Sequence, residues 1–324
     1  MNTLRIRLFG GLGLAVGNTP LSPIPSQKAR TLLAYLVLHR DRSLHRDVLC
    51  GTLWGEQPEA EARKALRSAL WRLRSVLEPE DANRGAYIRA EGDEVAFPGT
   101  ADAWVDTAEF EACIAGVTPD RDGELPTGQA ERLSRAVSLY RGDLLDGMYD
   151  DWCCHERERF RLACLTALER LLAHYQARGQ WLAALSAGRQ ILRADPLREH
   201  VHRRLMVCHV SMGDRPSALR QFEHYEQLVR DELGVEPLAE TRTLYHWIRK
   251  EGTLPPRPNS NGGSPATPGP PASRANGGPP APPLASEIDE AVRSLHALIA
   301  RLEAARASGL ELGLPSSQPG ASDV

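Results

Sequence analysis

Two segments of the sequence are similar to each other at a spacing of 34 residues. LERLLAHYQARGQWLAALSAG (168–188) aligns with HRRLMVCHVSMGDRPSALRQF (202–222). Residues of the same kind recur at matching positions, as in Leu171 and Leu205, Gly179 and Gly213, Ala184 and Ala218, and Leu185 and Leu219. Such a repeat is one pair of helices, which cannot bury its own apolar face and must stack on a neighbouring pair. The glycine is expected to end the first helix of each pair, and the small residues allow the helices to approach closely.

A period of 34 residues is that of the tetratricopeptide (TPR) repeat, and Pro196 stands where that repeat places its closing proline. From about Trp104 to Glu251 the sequence is almost entirely helical in pattern. We therefore predict an all-α, TPR-like domain over residues 104–251.

Residues 1–98 show a different order of elements. Leu4–Phe9 and Gly13–Gly17 are predicted strands, and two helices follow in SQKARTLLAYLVLHRDR and SLHRDVLCGTLWGE, the second with Ser43 as its expected N-cap. A third helix covers 61–77, and a hairpin is expected at 87–97 around Gly92. This order predicts a winged helix-turn-helix with an added N-terminal sheet. In that fold the third helix enters the major groove of DNA.

The third helix has two contrasting faces. Its leucines, spaced four, three and four residues apart, lie on one side, where they can hold the helix to its own domain. The opposite side carries Lys64, Ser68, Trp71, Arg72 and Ser75, and Arg63, Arg67 and Arg74 flank one edge. Arginine and lysine bind phosphates or guanine edges, and serine bonds either phosphate or base. A solvated helix face would explain this helix taken alone, but the neighbouring helices and hairpin favour DNA binding.

The charge of the chain is unevenly distributed. Residues 1–98 hold 14 Lys and Arg against 11 Asp and Glu, whereas the remaining residues hold 25 against 31. The mildly basic first part favours a polyanionic partner. Because its excess is small, a second hypothesis stays open, in which the chain is a TPR-type adaptor whose winged helix binds protein instead of DNA.

Other features narrow the class of protein. The longest apolar run, Leu32–Leu38, is too short to span a bilayer, and the N-terminus lacks the apolar block of a signal peptide, so we expect a cytoplasmic protein with no membrane partner. Cys153, Cys154 and His155 lack the second ligand pair of a zinc site. No motif positions a nucleophile or a nucleotide. We predict no enzymatic activity, no cofactor and no metal.

Five segments of the sequence resemble a known family. QKARTLLAYLVLHRDRSLHRDVLCGTLWGE and ARKALRSALWRLRSVL resemble the DNA-binding domain of the Streptomyces antibiotic regulatory proteins, a winged helix of the OmpR/PhoB response-regulator type. LYRGDLLDG, WCCHERERF and LVRDELGVEPLAETRTLY resemble the bacterial transcriptional activator domain that follows it in that family. The resemblance implies that this protein is a pathway-specific activator of secondary metabolism. It also implies binding of promoter DNA, often at direct repeats, and recruitment of the RNA polymerase holoenzyme.

The resemblance places the family's recognition-helix basic residues at Lys64, Arg67, Arg72 and Arg74. Ser68 and Trp71 share their face, and Arg89 is the expected contact from the hairpin, because the hairpin tip is acidic. These seven residues form the predicted DNA-binding set.

The C-terminal part lies outside the resemblance. Residues 252–284 hold 11 of the 24 prolines and predict a disordered linker. Residues 285–307 carry an apolar stripe typical of a short amphipathic helix, formed by Ile288, Val292, Leu295, Ile299 and Leu302, and a disordered tail is expected over 308–324. Two heptads are too short to be stable alone in water. The stripe could serve self-association on DNA, docking on the TPR-like domain, or binding of another protein.

Overall fold

The N-terminal residues form a four-stranded sheet. The computed structural model describes residues 3–40, 42–79, 85–120 and 123–255. It places β1 (Leu4–Arg7) between β2 (Gly13–Val16), which is antiparallel to it, and β7 (Ala103–Val105), which is parallel to it, with β3 (Thr19–Pro20) beside β2. Because side chains alternate along a strand, Leu4 and Ile6 enter the core and Arg5 and Arg7 stay exposed.

Strand β7 differs from the sequence-based expectation, which had helical structure beginning at about Trp104. Trp104 and Val105 instead pair with Arg5 and Ile6 of β1, and the first helix of the second half begins at Asp106. Three residues are too few for a strand period to be read from sequence. The long-range pairing with β1 determines their conformation.

The next elements are α1 (Gln27–Leu38), β4 (Leu44–His45), α2 (Arg46–Trp54), α3 (Glu59–Leu77), β5 (Arg89–Glu91) and β6 (Glu94–Ala96). Strands β4, β6 and β5 form a second sheet in that order, with β5 and β6 as an antiparallel hairpin. The predicted order of strands, three helices and hairpin is confirmed, and this part of the chain is a winged helix-turn-helix.

The predicted N-cap of the second helix is wrong. Leu44 pairs with Val95 in the second sheet, so the chain stays extended past Ser43. The helix begins at Arg46, and the imidazole of His45 accepts the backbone N–H of Asp47 at 3.3 Å. A capping serine is found instead at α1, where Ser26 Oγ accepts the N–H of Ala29.

The remaining helices are α4 (Asp106–Ile114), α5 (Gln129–Leu139), α6 (Asp151–Ala177), α7 (Trp181–Ala194), α8 (Glu199–Ser211), α9 (Arg215–Leu233) and α10 (Ala239–Glu251). Helix α6 packs on α7, and α8 packs on α9. Gly179 and Gly213 follow the first helix of each pair with φ of +67° and +78°, a conformation that glycine adopts without strain. The repeat is confirmed, and the fold is a winged helix-turn-helix followed by a TPR-like, all-α domain.

One apolar core extends from the N-terminal sheet into the stacked helices. Phe9, after β1, contacts Phe110 of α4 and Phe160 of α6 edge to face, with ring centroids 5.5 and 5.3 Å apart. A smaller cluster around Phe222 and Ile248 joins α8, α9 and α10. The two predicted domains therefore share a continuous core.

The predicted linker beyond residue 255, the short helix at 285–307 and the tail lie outside the described residues. Among the helices of the described ranges, none is long and apolar enough to cross a membrane.

Candidate nucleic-acid interface

Helix α3 is held in place by its apolar side. Leu66, Leu70, Leu73 and Leu77 are all buried, as their spacing predicts. Two acidic residues, Glu59 and Glu61, lie in the first turn and Arg74 in the last turn, which complements the helix dipole at both ends. The packing against the other helices leaves the polar side of α3 facing solvent.

The exposed side of α3 carries five residues of the predicted set: Lys64, Arg67, Ser68, Trp71 and Arg72. The Trp71 side chain is 70% exposed. Within the described part of the chain, no carboxylate forms an ion pair with Lys64, Arg67 or Arg72. Three cations and one aromatic ring are thus free to contact a partner.

Arg63, on the edge of this face, is differently engaged. Its guanidinium lies 2.8 Å from Asp47 of α2 and 3.1 Å from Glu59. The neighbouring Asp47 carboxylate raises the pKa of Arg63. This residue connects the N-terminal ends of α2 and α3.

Arg74 is turned toward the hairpin. Its side chain is 25% exposed, and Nη2 donates to the backbone oxygen of Ile88 at 3.1 Å. The adjacent carboxylate of Glu78 is buried and accepts the backbone N–H groups of Tyr87 and Ile88, each at 2.7 Å. Arg74 therefore helps to hold the hairpin against α3, and its contact with DNA stays a prediction.

The hairpin forms the wing. It turns at Gly92, whose φ is +56°, and Arg89 on β5 is 53% exposed, with its Nε 3.8 Å from Glu91. Arg46, the first residue of α2, donates from Nε to the oxygen of Gly92 at 3.0 Å and from its backbone N–H to Asp93 at 2.8 Å.

Arg46 was missed by sequence reasoning. It lines a groove between α3 and the wing together with Arg67, Trp71 and Arg74. The signal that could have revealed it is the pairing of β4 with the wing, which places the start of α2 beside the turn.

Cys153, Cys154 and His155 lie near the start of α6. Cys153 is buried and Cys154 is exposed, and burial raises the pKa of Cys153 to about 11. A thiol with a raised pKa is a poor nucleophile and a poor metal ligand at neutral pH. Within the described ranges, no group of three His, Cys, Asp or Glu side chains is arranged to hold a metal ion.

A winged helix-turn-helix joined to stacked helix pairs, with an exposed basic third helix, defines a class of transcriptional regulators. Two family profiles match the chain: "Transcriptional regulatory protein, C terminal" over residues 24–91 and "Bacterial transcriptional activator domain" over residues 105–249. The chain belongs to the family of Streptomyces antibiotic regulatory proteins.

Its relatives carry the names of regulators. The chain is 30% identical to regulatory protein AfsR of Streptomyces coelicolor over 68% of this chain and 22% of that protein. It is 30% identical to transcriptional regulator RedD of the same organism, over 67% of this chain and 62% of that protein. It is 28% identical to transcriptional regulatory protein EmbR of Mycobacterium tuberculosis, over 76% of this chain and 63% of that protein. The chain thus spans less than two thirds of the length of each of these relatives.

A solved structure shares the fold. It is titled "Mycobacterium tuberculosis EmbR in complex with low affinity phosphopeptide". The similarity has a TM-score of 0.55 at 24% identity and covers 78% of this chain and 66% of that one.

Proposed function

We propose that this protein is a sequence-specific, DNA-binding transcriptional activator. Its recognition element is residues 61–77, and its partner is double-stranded promoter DNA. The observation that carries the proposal is the exposed side of α3, where Lys64, Arg67 and Arg72 have no ion-pair partner in the described part of the chain and Trp71 is 70% exposed.

The charges of this surface suit a double helix. Three unpaired cations on one helical face can neutralise phosphates or donate to guanine, and Ser68 on the same face can bond phosphate or base. The wing lies beside α3, with Arg89 exposed for a backbone contact. Arg63, bound to Asp47, connects α3 to α2, and Arg46, bound to Gly92, connects α2 to the wing turn.

The finer role rests on the family. Because the chain belongs to the antibiotic regulatory proteins, we infer that it is a pathway-specific activator of secondary metabolism. We further infer that it acts in the cytoplasm by recruiting RNA polymerase holoenzyme. The TPR-like domain is the candidate polymerase contact, because stacked helix pairs present extended surfaces to proteins. No enzymatic step and no cofactor are part of the proposal.

A gel-shift titration tests DNA binding. Upstream DNA with direct repeats and a scrambled duplex are compared at 100 mM salt, with the full chain and with the triple variant Lys64→Gln, Arg67→Gln, Arg72→Gln. We expect the triple variant to lose at least 100-fold in affinity, since each base-edge contact contributes about 1–3 kcal/mol. A phosphate contact would instead lower the salt slope by about 0.9.

The matched control removes three positive charges elsewhere. Arg189, Arg193 and Arg220 are exposed on α7 and α9, and their change to Gln should leave the affinity within about threefold. Equal binding of both duplexes by the unmodified chain, or equal losses in the two triple variants, would refute sequence-specific binding through α3. The TPR-type adaptor would then be the better hypothesis.

Self-association on DNA is proposed from the apolar stripe at 288–302. Sedimentation of the full chain is compared with that of a chain ending at Glu251, with and without repeat DNA. We expect the shorter chain to bind repeats with less cooperativity. Equal association states and equal cooperativity would exclude this role for residues 285–307.

A further inference from the structure

A second basic surface lies on the N-terminal sheet. Arg5 and Arg7 project from β1, Trp104 from the neighbouring β7, and Arg141 follows α5. These side chains line a groove of about 580 Å³. None of its lining residues belongs to α3 or to the wing. The groove is therefore distinct from the proposed DNA-binding face.

Among the described residues, no carboxylate lies within ion-pair distance of the arginines that line the groove. In the described part of the chain, Arg5, Arg7 and Arg141 form no ion pair. The guanidinium of Arg5 stacks over the Trp104 ring, 4.9 Å from its centroid, so its position is defined by an aromatic ring and not by an acid.

Asp106 is the single carboxylate that lines the groove. It is buried, and both oxygens accept backbone N–H groups, from Leu8 at 2.9 Å and from Thr107 at 2.8 Å among others. These bonds occupy its oxygens, and among the three arginines Arg7 acts electrostatically on its carboxylate, so the positive charges of the groove exceed its one negative charge.

Small residues keep the groove open. Ala15 and Gly13 of β2 lie directly opposite Arg5 and Arg7 in the ladder, on the same face of the sheet. Arg141 approaches from the helical domain, where the adjacent Gly142 packs so closely on Gly10 that an added Cβ would lie 3.3 Å from the Gly10 Cα. Both halves of the chain thus contribute cations to one concave site.

We propose that this groove binds a small ligand that carries two or more phosphate groups. Guanidinium groups bind phosphate oxygens in a bidentate manner, which is the strongest hydrogen-bonded recognition of that group. Residues two apart on a strand are separated by about 7 Å. Arg5 and Arg7 therefore reach two neighbouring phosphates, and Arg141 contacts them from the other wall. A groove of this size lies in the range that holds small molecules.

Calorimetric titration of the full chain tests the proposal at 150 mM salt, with sodium pyrophosphate and with ATP as separate probes. We expect saturable binding of pyrophosphate. Tighter binding of ATP would identify a nucleotide, and equal binding would identify the phosphates alone; either result supports the site. In the double variant Arg5→Gln, Arg7→Gln, and in Arg141→Gln, affinity should fall at least tenfold.

The matched control is Lys64→Gln, Arg67→Gln, which removes the same charge from α3 and should leave pyrophosphate binding within twofold. No saturable binding, or an equal loss in the control, would overturn the proposal.

The proposal is independent of DNA binding by α3. The double variant at Arg5 and Arg7 should bind promoter DNA within twofold of the unmodified chain. A loss of DNA affinity as large as that of the α3 control, together with no effect on pyrophosphate, would show that this face contacts the DNA backbone and would overturn the small-ligand site. If the α3 variants keep their DNA affinity, the proposal of a phosphate-binding groove still stands, because it is tested by pyrophosphate binding.

Discussion

The carboxylate of Asp106 accepts the backbone N–H of Leu8 through both oxygens, at 2.9 Å each. It also accepts the N–H of Phe9 at 3.1 Å and that of Thr107 at 2.8 Å. Residues 98 positions apart are joined in this way, at the point where β1 ends and α4 begins. The first residue of the helical half therefore holds the end of the first strand of the winged-helix half.

Asp106→Asn should destabilise the chain by about 1–3 kcal/mol, because one carboxylate oxygen is replaced by an amide that donates, and a buried N–H loses its acceptor. The free energy of unfolding from urea denaturation measures the loss. Asp102→Asn, at an exposed residue that bonds Thr3, is the control and should change stability by less than about 0.5 kcal/mol. Equal effects would contradict a special role for Asp106.

Gly188 is required by close packing between helix pairs. A Cβ at this position would lie 2.4 Å from Leu205 Cδ2, and Leu205 is itself buried. Gly188→Ala should therefore lower stability by about 1–3 kcal/mol through overpacking. Gly51→Ala, in α2 with no atom within 4 Å of the added Cβ, should be neutral or stabilising by up to about 1 kcal/mol. A thermal melt of both variants checks the contrast in sign.

Much of the fold was predictable because it rests on local periodicity. The leucine stripe of α3 and the glycines that end α6 and α8 have the positions that the sequence indicates. Strand β7 and the start of α2 at Arg46 were not predictable, because pairing with distant strands determines them.

The candidate site was predictable to a similar extent. Helical periodicity identifies the exposed face of α3, but it cannot show that Arg74 bonds to Ile88 or that Arg46 bonds to Gly92. The two contacts join residues that lie 14 and 46 positions apart in the sequence, which is beyond the reach of helical periodicity.

The helical domain should be less stable at mildly acidic pH. His202 is 1% exposed, its Nε2 donates to the oxygen of Pro196 at 2.9 Å, and burial lowers its pKa. Burial also lowers the pKa of His209. In the folded state these pKa values lie below the ordinary value of about 6.5, so near and below pH 6.5 the unfolded state binds more protons than the folded state. Stability therefore falls as the pH decreases from about 6.5 toward the folded pKa.

Urea denaturation at pH 7.5 and pH 5.5 should show a lower free energy of unfolding at pH 5.5. His202→Gln should reduce that difference, whereas His155→Gln, at an exposed histidine, should leave it unchanged. A pH dependence of the same size in all three proteins would assign it to other groups.

We expect Arg74 to contribute to stability and Arg67 to contribute to DNA affinity. Arg74→Gln removes the bond to Ile88 and should lower stability by about 1 kcal/mol. Arg67→Gln, at an exposed residue with no ion pair in the described ranges, should lower DNA affinity without changing stability. Thermal melts and gel shifts on the same preparations make the comparison. Unchanged stability in Arg74→Gln would show that its contact with the hairpin is dispensable.

The wing should contribute less to binding than α3. Glu91, Asp93 and Glu94 surround the turn and would repel phosphates, so Arg89 is the expected contact. Its guanidinium also lies 3.8 Å from Glu91, which reduces the charge it offers to DNA. Arg89→Ala should therefore weaken binding by less than Arg67→Ala, in gel shifts at one salt concentration. Glu91→Gln should strengthen binding, because it releases Arg89 and removes a negative charge near the backbone. A larger loss at Arg89 than at Arg67 would make the wing, and not α3, the main source of affinity.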